Sequence, residues 1–291
     1  GKIVTMTYPL VGNYGFNGDD NESNEPHIRG LVVKELCQWP NNWRCSISTE
    51  DYFIKNNIIG IKGIDTRALT QHIRRNGSMY GIISTQCGNV DTLLEKLKSK
   101  KTEDRNLVLD ITTKIPIHKP GTGMKVVVLD LGVKQSIIQS LKSKNCDIYI
   151  LPAFSSYDEI MSYKPDGILL SNGPGNPKDL PEVKKTVQKL LGKKPILGIC
   201  LGHLLLGLAL GGNTYKLKFG HHGSNHPVKH YKNGRCYITS QNHSYALEDS
   251  ICDDVLVTYK NINDGTVEGF EHKKIPVLSV QYIPETVPVP Q

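Results

Sequence analysis

Cys200 is the residue whose surroundings most strongly predict chemistry. It lies in a Gly-x-Cys-x-Gly pattern, between an apolar run at 195–199 and an apolar helical pattern at 202–210. A strand, a sharp turn and a helix in this order place a nucleophile in a strained turn, with its sulfur exposed and the first N–H groups of the helix directed at it. The N–H of Leu201 is then a donor for an oxyanion. The alternative is a structural cysteine in a turn, which the two glycines and the preceding strand disfavour.

Two polar segments follow other predicted strands. Residues 169–177 end an apolar run in Gly173-Pro174-Gly175, a loop that brings backbone close to a bound ligand and leaves the N–H of Gly173 unhindered. Residues 240–246 place amide, imidazole and hydroxyl side chains after a strand at 236–240. For this second segment a plain polar loop is the alternative. Because sites in parallel sheets form at the carboxyl ends of strands, the loop at Gly173 is expected beside Cys200.

The elements that position these residues alternate between short apolar runs and helical patterns. We predict strands at 126–129, 147–151, 167–170 and 195–199, with helices at 134–144, 157–163, 181–191 and 202–210. This alternation predicts a parallel sheet with helices on both faces. Four later strands, at 236–240, 255–259, 266–271 and 276–281, predict a more antiparallel end to the sheet.

The chain divides into two predicted domains. Residues 112–123 hold two prolines, two glycines and no hydrophobic period, which predicts a linker. Residues 1–111 are predicted to form a smaller N-terminal α/β domain, with strands at 3–8, 30–34 and 60–64 and helices at 66–76 and 90–99. Residues 124–291 are the predicted C-terminal domain. The chain begins without Met inside a predicted strand, so we expect truncation at its start.

Composition excludes several classes of protein. The chain has 291 residues and a net charge of +7. Its lysines are scattered, and the densest basic run, at 96–101, lies on a helical pattern with acidic residues nearby. We therefore expect no nucleic-acid partner. No apolar run approaches the ~20 residues of a membrane span, so no membrane is expected. Seven cysteines without a C-x-x-C pair predict reduced thiols in the cytoplasm, without a disulfide framework or a zinc site.

Together the three polar segments resemble the class I, or triad, glutamine amidotransferases, and most closely the small subunit of carbamoyl-phosphate synthetase. Residues 3–15, 63–70 and 218–228 extend the likeness over the whole chain. The resemblance implies an α/β amidotransferase domain with a mostly parallel central sheet flanked by helices, after a smaller N-terminal domain. It also implies that a final helix is missing after residue 291. Another hydrolase with a Gly-x-Cys-x-Gly turn is disfavoured by the whole-chain likeness.

The resemblance also implies roles for individual residues. Cys200 attacks glutamine, the N–H groups of Gly173 and Leu201 hold the oxyanion, and a histidine and a glutamate complete a triad. The implied glutamine pocket is lined by Gly175, Asn242, Ser244 and Tyr245.

The same resemblance implies a partner. Ammonia passes to a large subunit, which uses ATP and Mg²⁺ to make carbamoyl phosphate for arginine and pyrimidine synthesis. The chain itself is expected to need no cofactor and to work as one half of a heterodimer.

The chain departs from the family pattern at the residues that matter most. In the family's His-Pro-Glu signature the glutamate matches Glu285, but the histidine position is Ile283. Leu204 stands where the family has a glutamine that contacts substrate, and Ser244 replaces a glycine. Losing general acid–base catalysis costs about 10²–10⁴-fold, so we predict weak or absent glutaminase activity unless another histidine substitutes. The two candidate substitutes are His203 and His243.

These departures leave two functional hypotheses. The first is a glutaminase subunit that feeds carbamoyl-phosphate synthesis. The second is a catalytically impaired scaffold for a large subunit that takes ammonia from solution. The histidines at 221, 222 and 226 are predicted to lie in a structural loop without a metal, because no carboxylate or thiolate is near them in sequence.

Overall fold

The computed structural model describes residues 2–86, 89–99 and 106–286, which form two compact units, residues 1–104 and 105–291. The boundary lies a few residues before the predicted one at 111. Residues 107–111 form a helix whose Val108 is buried in the core of the second unit. The predicted linker at 112–123 contains a short strand, Ile117–Lys119, between Pro116 and Pro120. Proline removes a donor for sheet hydrogen bonds, so a strand framed by prolines is expected at a sheet edge, where this one lies.

The N-terminal unit is a small α/β structure. Its elements are β1 (Ile3–Thr5), β2 (Leu10–Val11), β3 (Gly30–Val32), β4 (Glu35–Leu36), α1 (Thr49–Lys55), β5 (Ile59–Ile61), α2 (Thr66–Asn76) and α3 (Val90–Ser99). Strands β1, β3 and β5 form a parallel sheet, and β2 pairs with β4. Asp65 caps α2 by accepting a hydrogen bond from the N–H of Ala68. The helices at 66–76 and 90–99 are confirmed; of the basic run at 96–101, residues 100 and 101 lie outside the described part.

The C-terminal unit contains the remaining elements. They are α4 (Leu107–Ile111), β6 (Ile117–Lys119), β7 (Lys125–Asp130), α5 (Gln135–Ser143), β8 (Asp147–Pro152), α6 (Tyr157–Ser162), β9 (Gly167–Leu170), α7 (Pro181–Leu190), β10 (Ile196–Ile199), α8 (Leu201–Ala209), β11 (Thr214–His230), β12 (Cys236–Leu247), β13 (Val255–Asn261), β14 (Val267–His272) and β15 (Val277–Val280). Short 3₁₀ turns cover Pro177–Asp179 and Pro284–Thr286.

One large sheet organises this unit. Within the described residues its strand order is β12-β11-β13-β14-β15-β10-β9-β7-β8-β6. Strands β15, β10, β9, β7 and β8 are parallel, and β11 to β14 are antiparallel to their neighbours. In β7, Val127 and Leu129 face one apolar cluster and Val128 faces another, so the strand is buried on both faces. The predicted α/β class with a mostly parallel central sheet is confirmed.

The long hairpin β11–β12 corrects two predictions. The histidines at 221–226 were expected in a loop but lie in β11, and the polar segment 240–246 was expected after a strand but lies inside β12. His221 is paired with His243, and His222 with Asn242. Both strands carry polar side chains on their buried face, so the apolar alternation that signals a strand is missing.

Among the described residues, no helix is both long enough and apolar enough to cross a bilayer.

Candidate active site

Cys200 occupies the junction between β10 and α8 in a conformation that side chains rarely adopt. Its backbone has φ +53° and ψ −103°, and its N–H donates to the carbonyl of Val280 at 2.9 Å. The strained strand–turn–helix that the sequence predicted is therefore present. The expectation of an exposed sulfur is wrong, because Cys200 is only 4% exposed and packs with Val280 in an apolar cluster.

The two glycines beside Cys200 are required by close packing. A Cβ at Gly202 would lie 2.2 Å from the carbonyl oxygen of Leu170, and one at Gly198 would lie 2.7 Å from the carbonyl oxygen of Gly202. The N–H of Gly202 also donates to the carbonyl of Ser171 at 3.1 Å. Helix α8 is thereby held against the end of β9, and Cys200 is carried to the carboxyl edge of the sheet.

The Gly173 loop lies close to the start of α8. A Cβ at Gly173 would lie 2.8 Å from Cδ2 of Leu201, so Gly173 is next to the side chain of Leu201. The hydroxyl of Ser171 accepts from the N–H of Leu131 at 2.9 Å and fixes the start of the loop. Gly175 has φ +96° and open space where a side chain would stand. The arrangement can hold a small polar group beside Cys200.

Ile283 and Glu285 lie just beyond β15. Ile283 is 7% exposed, and its N–H donates to the carbonyl of Ser240 at 3.0 Å, which ties it to β12. Glu285 is half-buried and accepts from the hydroxyl of Ser136 on α5 at 3.1 Å. The carboxylate is therefore held in place, while the position that the resemblance assigns to a histidine is filled by a buried alkyl side chain.

The two candidate substitute histidines have other partners. Nδ1 of His203 lies 2.8 Å from the hydroxyl of Ser279, and its ring packs against Phe270 in the core. Complete burial lowers the pKa of His203 to about 3. His243 is bonded at both ring nitrogens, to the carbonyl of Tyr245 and to the side chain of Gln241, each at 2.8 Å. Burial, followed by the charge of His221, lowers the pKa of His243 to about 3.

The other residues predicted to line the pocket differ in their exposure and contacts. Asn242 is exposed, and its Oδ1 lies 2.8 Å from Nδ1 of His222. Ser244 is half-buried. Tyr245 packs against the core cluster, and burial, with a smaller effect of the Asp179 charge, raises its pKa. Asp179 lies in the 3₁₀ turn that follows the Gly173 loop. Leu204 is 2% exposed in the core, and its N–H donates to the carbonyl of Cys200.

Sequence reasoning missed a buried polar cluster on the antiparallel strands. Nε2 of His221 lies 2.8 Å from Oδ2 of Asp264, and its Nδ1 lies 3.5 Å from Oε1 of Glu268. Burial alone would lower the pKa of His221, but hydrogen bonds to Glu268 and Asp264 raise it to about 9. No carboxylate is near these histidines in the sequence, but the fold brings Asp264 and Glu268 next to His221. A glutamate inside the apolar run at 267–270 was the signal available in the sequence.

Comparison with known families places both units. The family described as "Glutamine amidotransferase class-I" matches residues 127–291, and "Carbamoyl-phosphate synthase small chain, CPSase domain" matches residues 1–83.

Individual relatives agree with these matches. A carbamoyl phosphate synthase small chain of Syntrophotalea carbinolica is 48% identical over all of this chain and 82% of its own length. A pyrimidine-specific small chain of Bacillus subtilis is 45% identical over all of this chain and 80% of its own. Among solved structures, a putative GMP synthase protein of Thermoplasma acidophilum has a TM-score of 0.50 at 25% identity, covering 57% of this chain and 86% of that one. The chain belongs to the family of carbamoyl-phosphate synthase small chains and carries a class I glutamine amidotransferase domain.

Proposed function

We propose that this chain is the glutamine-binding small subunit of a carbamoyl-phosphate synthase, and that its own hydrolysis of glutamine is strongly impaired. One observation carries the proposal. The Cys200 turn is intact, but the position assigned to the catalytic histidine is the buried Ile283. Substrate would lie in the pocket assigned by resemblance to Gly175, Asn242, Ser244 and Tyr245.

The chemistry fails at the proton transfers. A thiolate of Cys200 would attack the carboxamide carbon of glutamine, and the N–H groups of Gly173 and Leu201 would hold the oxyanion that forms. Ammonia must then leave with a proton that a histidine supplies, and an isoleucine side chain has none to give. Glu285 would orient that histidine, and it keeps its contact with Ser136 without one. The expected loss is about 10²–10⁴-fold or more, because a triad acts as a unit.

Neither buried histidine replaces the missing group. His203 is bonded to Ser279 and packed on Phe270, and His243 has both ring nitrogens committed. Freeing either imidazole for catalysis would break a buried hydrogen bond, at a cost of about 1–3 kcal/mol.

A second candidate follows from the same observation. The chain would serve as a scaffold for a cytoplasmic large subunit that binds ATP and Mg²⁺ and takes ammonia from solution. In the first candidate, the small amount of ammonia that the impaired chain releases from glutamine passes directly to that subunit. The two candidates differ only in whether glutamine supplies any of the nitrogen.

The decisive experiment measures glutamate released from glutamine by the chain bound to its large subunit. The unaltered chain is compared with Ile283→His, with Ile283→His/Leu204→Gln and with Cys200→Ser. We expect a very low rate for the unaltered chain, a rise of about 10²-fold or more for Ile283→His, and none for Cys200→Ser.

Each outcome bears on one candidate. Rapid glutamate release by the unaltered chain contradicts the impairment. If neither Ile283→His nor the double variant gains activity over Cys200→Ser, Ile283 is not the histidine position. Ammonia-dependent synthesis of carbamoyl phosphate by all variants, with glutamine inert in the unaltered chain, supports the scaffold.

A further inference from the structure

The buried polar cluster on the antiparallel strands contains three side chains that converge on one point. His221 on β11, His243 on β12 and Glu268 on β14 are all buried, and each offers one ligand atom within 4.8 Å of the other two. His221 and His243 face each other across the hairpin. We call these three residues the histidine–glutamate cluster. None of them is part of the triad or the pocket proposed above.

The outer nitrogen of each histidine is already paired with an acceptor. Nε2 of His221 lies 2.8 Å from a carboxylate oxygen of Asp264, and Nδ1 of His243 lies 2.8 Å from the carbonyl of Tyr245. Since both partners can only accept, each histidine uses an N–H there. The inner nitrogens, Nδ1 of His221 and Nε2 of His243, both point towards the side chain of Gln241.

What faces those inner nitrogens is an acceptor. Oε1 of Gln241 lies 3.0 Å from Nδ1 of His221 and 2.8 Å from Nε2 of His243. In a neutral His243 the proton is on Nδ1, so two lone pairs oppose each other at Gln241.

Rotating the Gln241 amide does not remove the conflict. Its Nε2 now donates to the hydroxyl of Thr239 at 3.1 Å, and that hydroxyl donates to the carbonyl of His226 at 2.9 Å. After rotation, Oε1 of Gln241 would face the Thr239 oxygen, so one acceptor pair would replace another. A cation bound here would pair with Nε2 of His243 and with the oxygens of Gln241 and Glu268, and it would replace the proton at Nδ1 of His221.

Glu268 of the cluster and Gln281, which is bonded to its backbone, have buried side-chain atoms without a hydrogen-bond partner among the described residues. Glu268 is 0% exposed, and its Oε2 has no hydrogen-bond partner among the described residues. Gln281 lies across from it on the strand end, donating its backbone N–H to the carbonyl of Glu268 at 2.8 Å. Neither side-chain amide atom of Gln281 has a partner in the same part of the chain. Buried polar atoms are nearly always paired, so a missing ligand is indicated at this place.

We propose that the histidine–glutamate cluster binds one divalent transition-metal ion of the Zn²⁺ class. Nδ1 of His221, Nε2 of His243 and a carboxylate oxygen of Glu268 would be the ligands, with Gln241 Oε1 as the fourth. Two imidazoles and a carboxylate are a ligand set that Zn²⁺ uses in proteins.

The geometry fits the proposed ion. In a tetrahedral site with bonds of about 2.1 Å the ligand atoms are roughly 3.4 Å apart. The separations to Gln241 are 3.0 and 2.8 Å, and the ligand atoms of the three cluster residues lie within 4.8 Å of one another. Changes of up to about 1.4 Å in these separations complete the site. Asp264 then holds His221 from outside, as carboxylates commonly do for metal-bound histidines. The ion would link β11, β12 and β14, three strands that meet through contacts distant in sequence.

The test measures metal bound to the full chain. Chelator-treated protein is dialysed against Zn²⁺ or Co²⁺, and bound metal is counted by elemental analysis and by the visible absorption of tetrahedral Co²⁺. We expect one ion per chain, lost in Glu268→Gln. Asp264 contacts the outer nitrogen of His221 through Oδ2 and accepts from Thr266 through Oδ1, so it is not itself a ligand. In Asp264→Asn, binding should weaken about 10–100-fold. His222→Gln is the matched control, because His222 is exposed and neighbours His221 on the same strand; its binding should equal that of the unaltered chain.

Either of two results overturns the proposal. One is that the unaltered chain binds metal no more tightly than Glu268→Gln does. The other is equal binding by the unaltered chain, Glu268→Gln and Asp264→Asn, which would assign the metal to surface histidines. Thermal unfolding of each metal-free protein shows whether a variant is folded, and His243→Gln provides a second cluster variant if Glu268→Gln is not.

Discussion

Cys200 shows how much of this site is set by one residue's backbone. Its φ of +53° with ψ −103° lies outside the regions that L-residues favour, and such conformations cost on the order of 1–3 kcal/mol. The surrounding structure maintains the strain through the Val280 hydrogen bond and the packing of Gly198 and Gly202. Cys200, the proposed nucleophile, is thereby placed at the end of β10 with the start of α8 beside it.

This strain predicts an unusual order of stabilities. Cys200→Gly and Cys200→Ala both remove the sulfur, but glycine adopts positive φ without strain and alanine does not. We therefore expect Cys200→Gly to be more stable than Cys200→Ala by about 1 kcal/mol. At an ordinary position of a helix, the alanine variant would be as stable as the glycine variant or more stable. Urea unfolding of the two variants measures the difference, and a more stable alanine variant would contradict a strained turn.

Ile283 shows a dependence on side-chain chemistry. The residues around the proposed site keep their contacts, but this one position lacks the side chain that the proposed reaction needs. Glu285 keeps its contact with Ser136, and Gly173 keeps its place beside Leu201. The proposed impairment is therefore chemical rather than structural, because a buried isoleucine fills its site but transfers no proton.

At the scale of elements, the junction of β9, β10 and α8 depends on backbone contact. Helix α8 approaches β9 so closely that the N–H of Gly202 reaches the carbonyl of Ser171, and no side chain fits between Gly202 and Leu170. The proposed oxyanion donors depend on this approach, since Leu201 begins α8 and Gly173 follows β9.

Gly202→Ala should therefore destabilise the C-terminal unit. A methyl group would meet the Leu170 carbonyl at 2.2 Å, and only a backbone shift can relieve that contact. We expect a loss of roughly 3 kcal/mol in the free energy of unfolding. Gly167→Ala on β9 is the control, because its nearest neighbour would be 3.8 Å away, and its effect should be small. Equal losses in the two variants, measured by urea unfolding, would show that the close approach is unimportant.

At the scale of the whole molecule, buried histidines link stability to pH. His203 is completely buried, and burial lowers its pKa to about 3 from an ordinary value of 6.5. Between these values the folded chain leaves His203 neutral while the unfolded chain protonates it. Stability from this residue is therefore present above pH 6.5 and is lost as pH falls towards 3.

We predict that the free energy of unfolding falls by up to about 1.4 kcal/mol per pH unit below pH 6.5 on account of His203. Urea unfolding between about pH 7 and pH 5 measures the slope above the range in which most carboxylates titrate. His203→Asn, which retains a polar group near Ser279, should have a slope lower by about that amount. An unchanged slope would mean that His203 is protonated in the folded chain.

Much of the architecture could be predicted from local pattern. The helices at 66–76 and 90–99 and the alternating elements from 125 to 209 follow from hydrophobic periodicity and turn residues, which act within a few positions of the chain. The family followed in the same way from the segments around Gly173, around Cys200 and at 240–246. The β11–β12 hairpin was harder to predict, because its buried face is polar and each of its residues finds a partner only across the hairpin.

The sequence by itself determined the family, the strained turn at Cys200 and the absence of a histidine at position 283, since each is a property of residue type and short spacing. Only the tertiary structure decided that Cys200 is buried, that His203 and His243 are committed elsewhere, and that His221 meets Asp264 and Glu268. Burial and charge pairing depend on which distant segments meet. In this chain the sheet brings together residues more than forty positions apart, a distance over which sequence pattern carries no information.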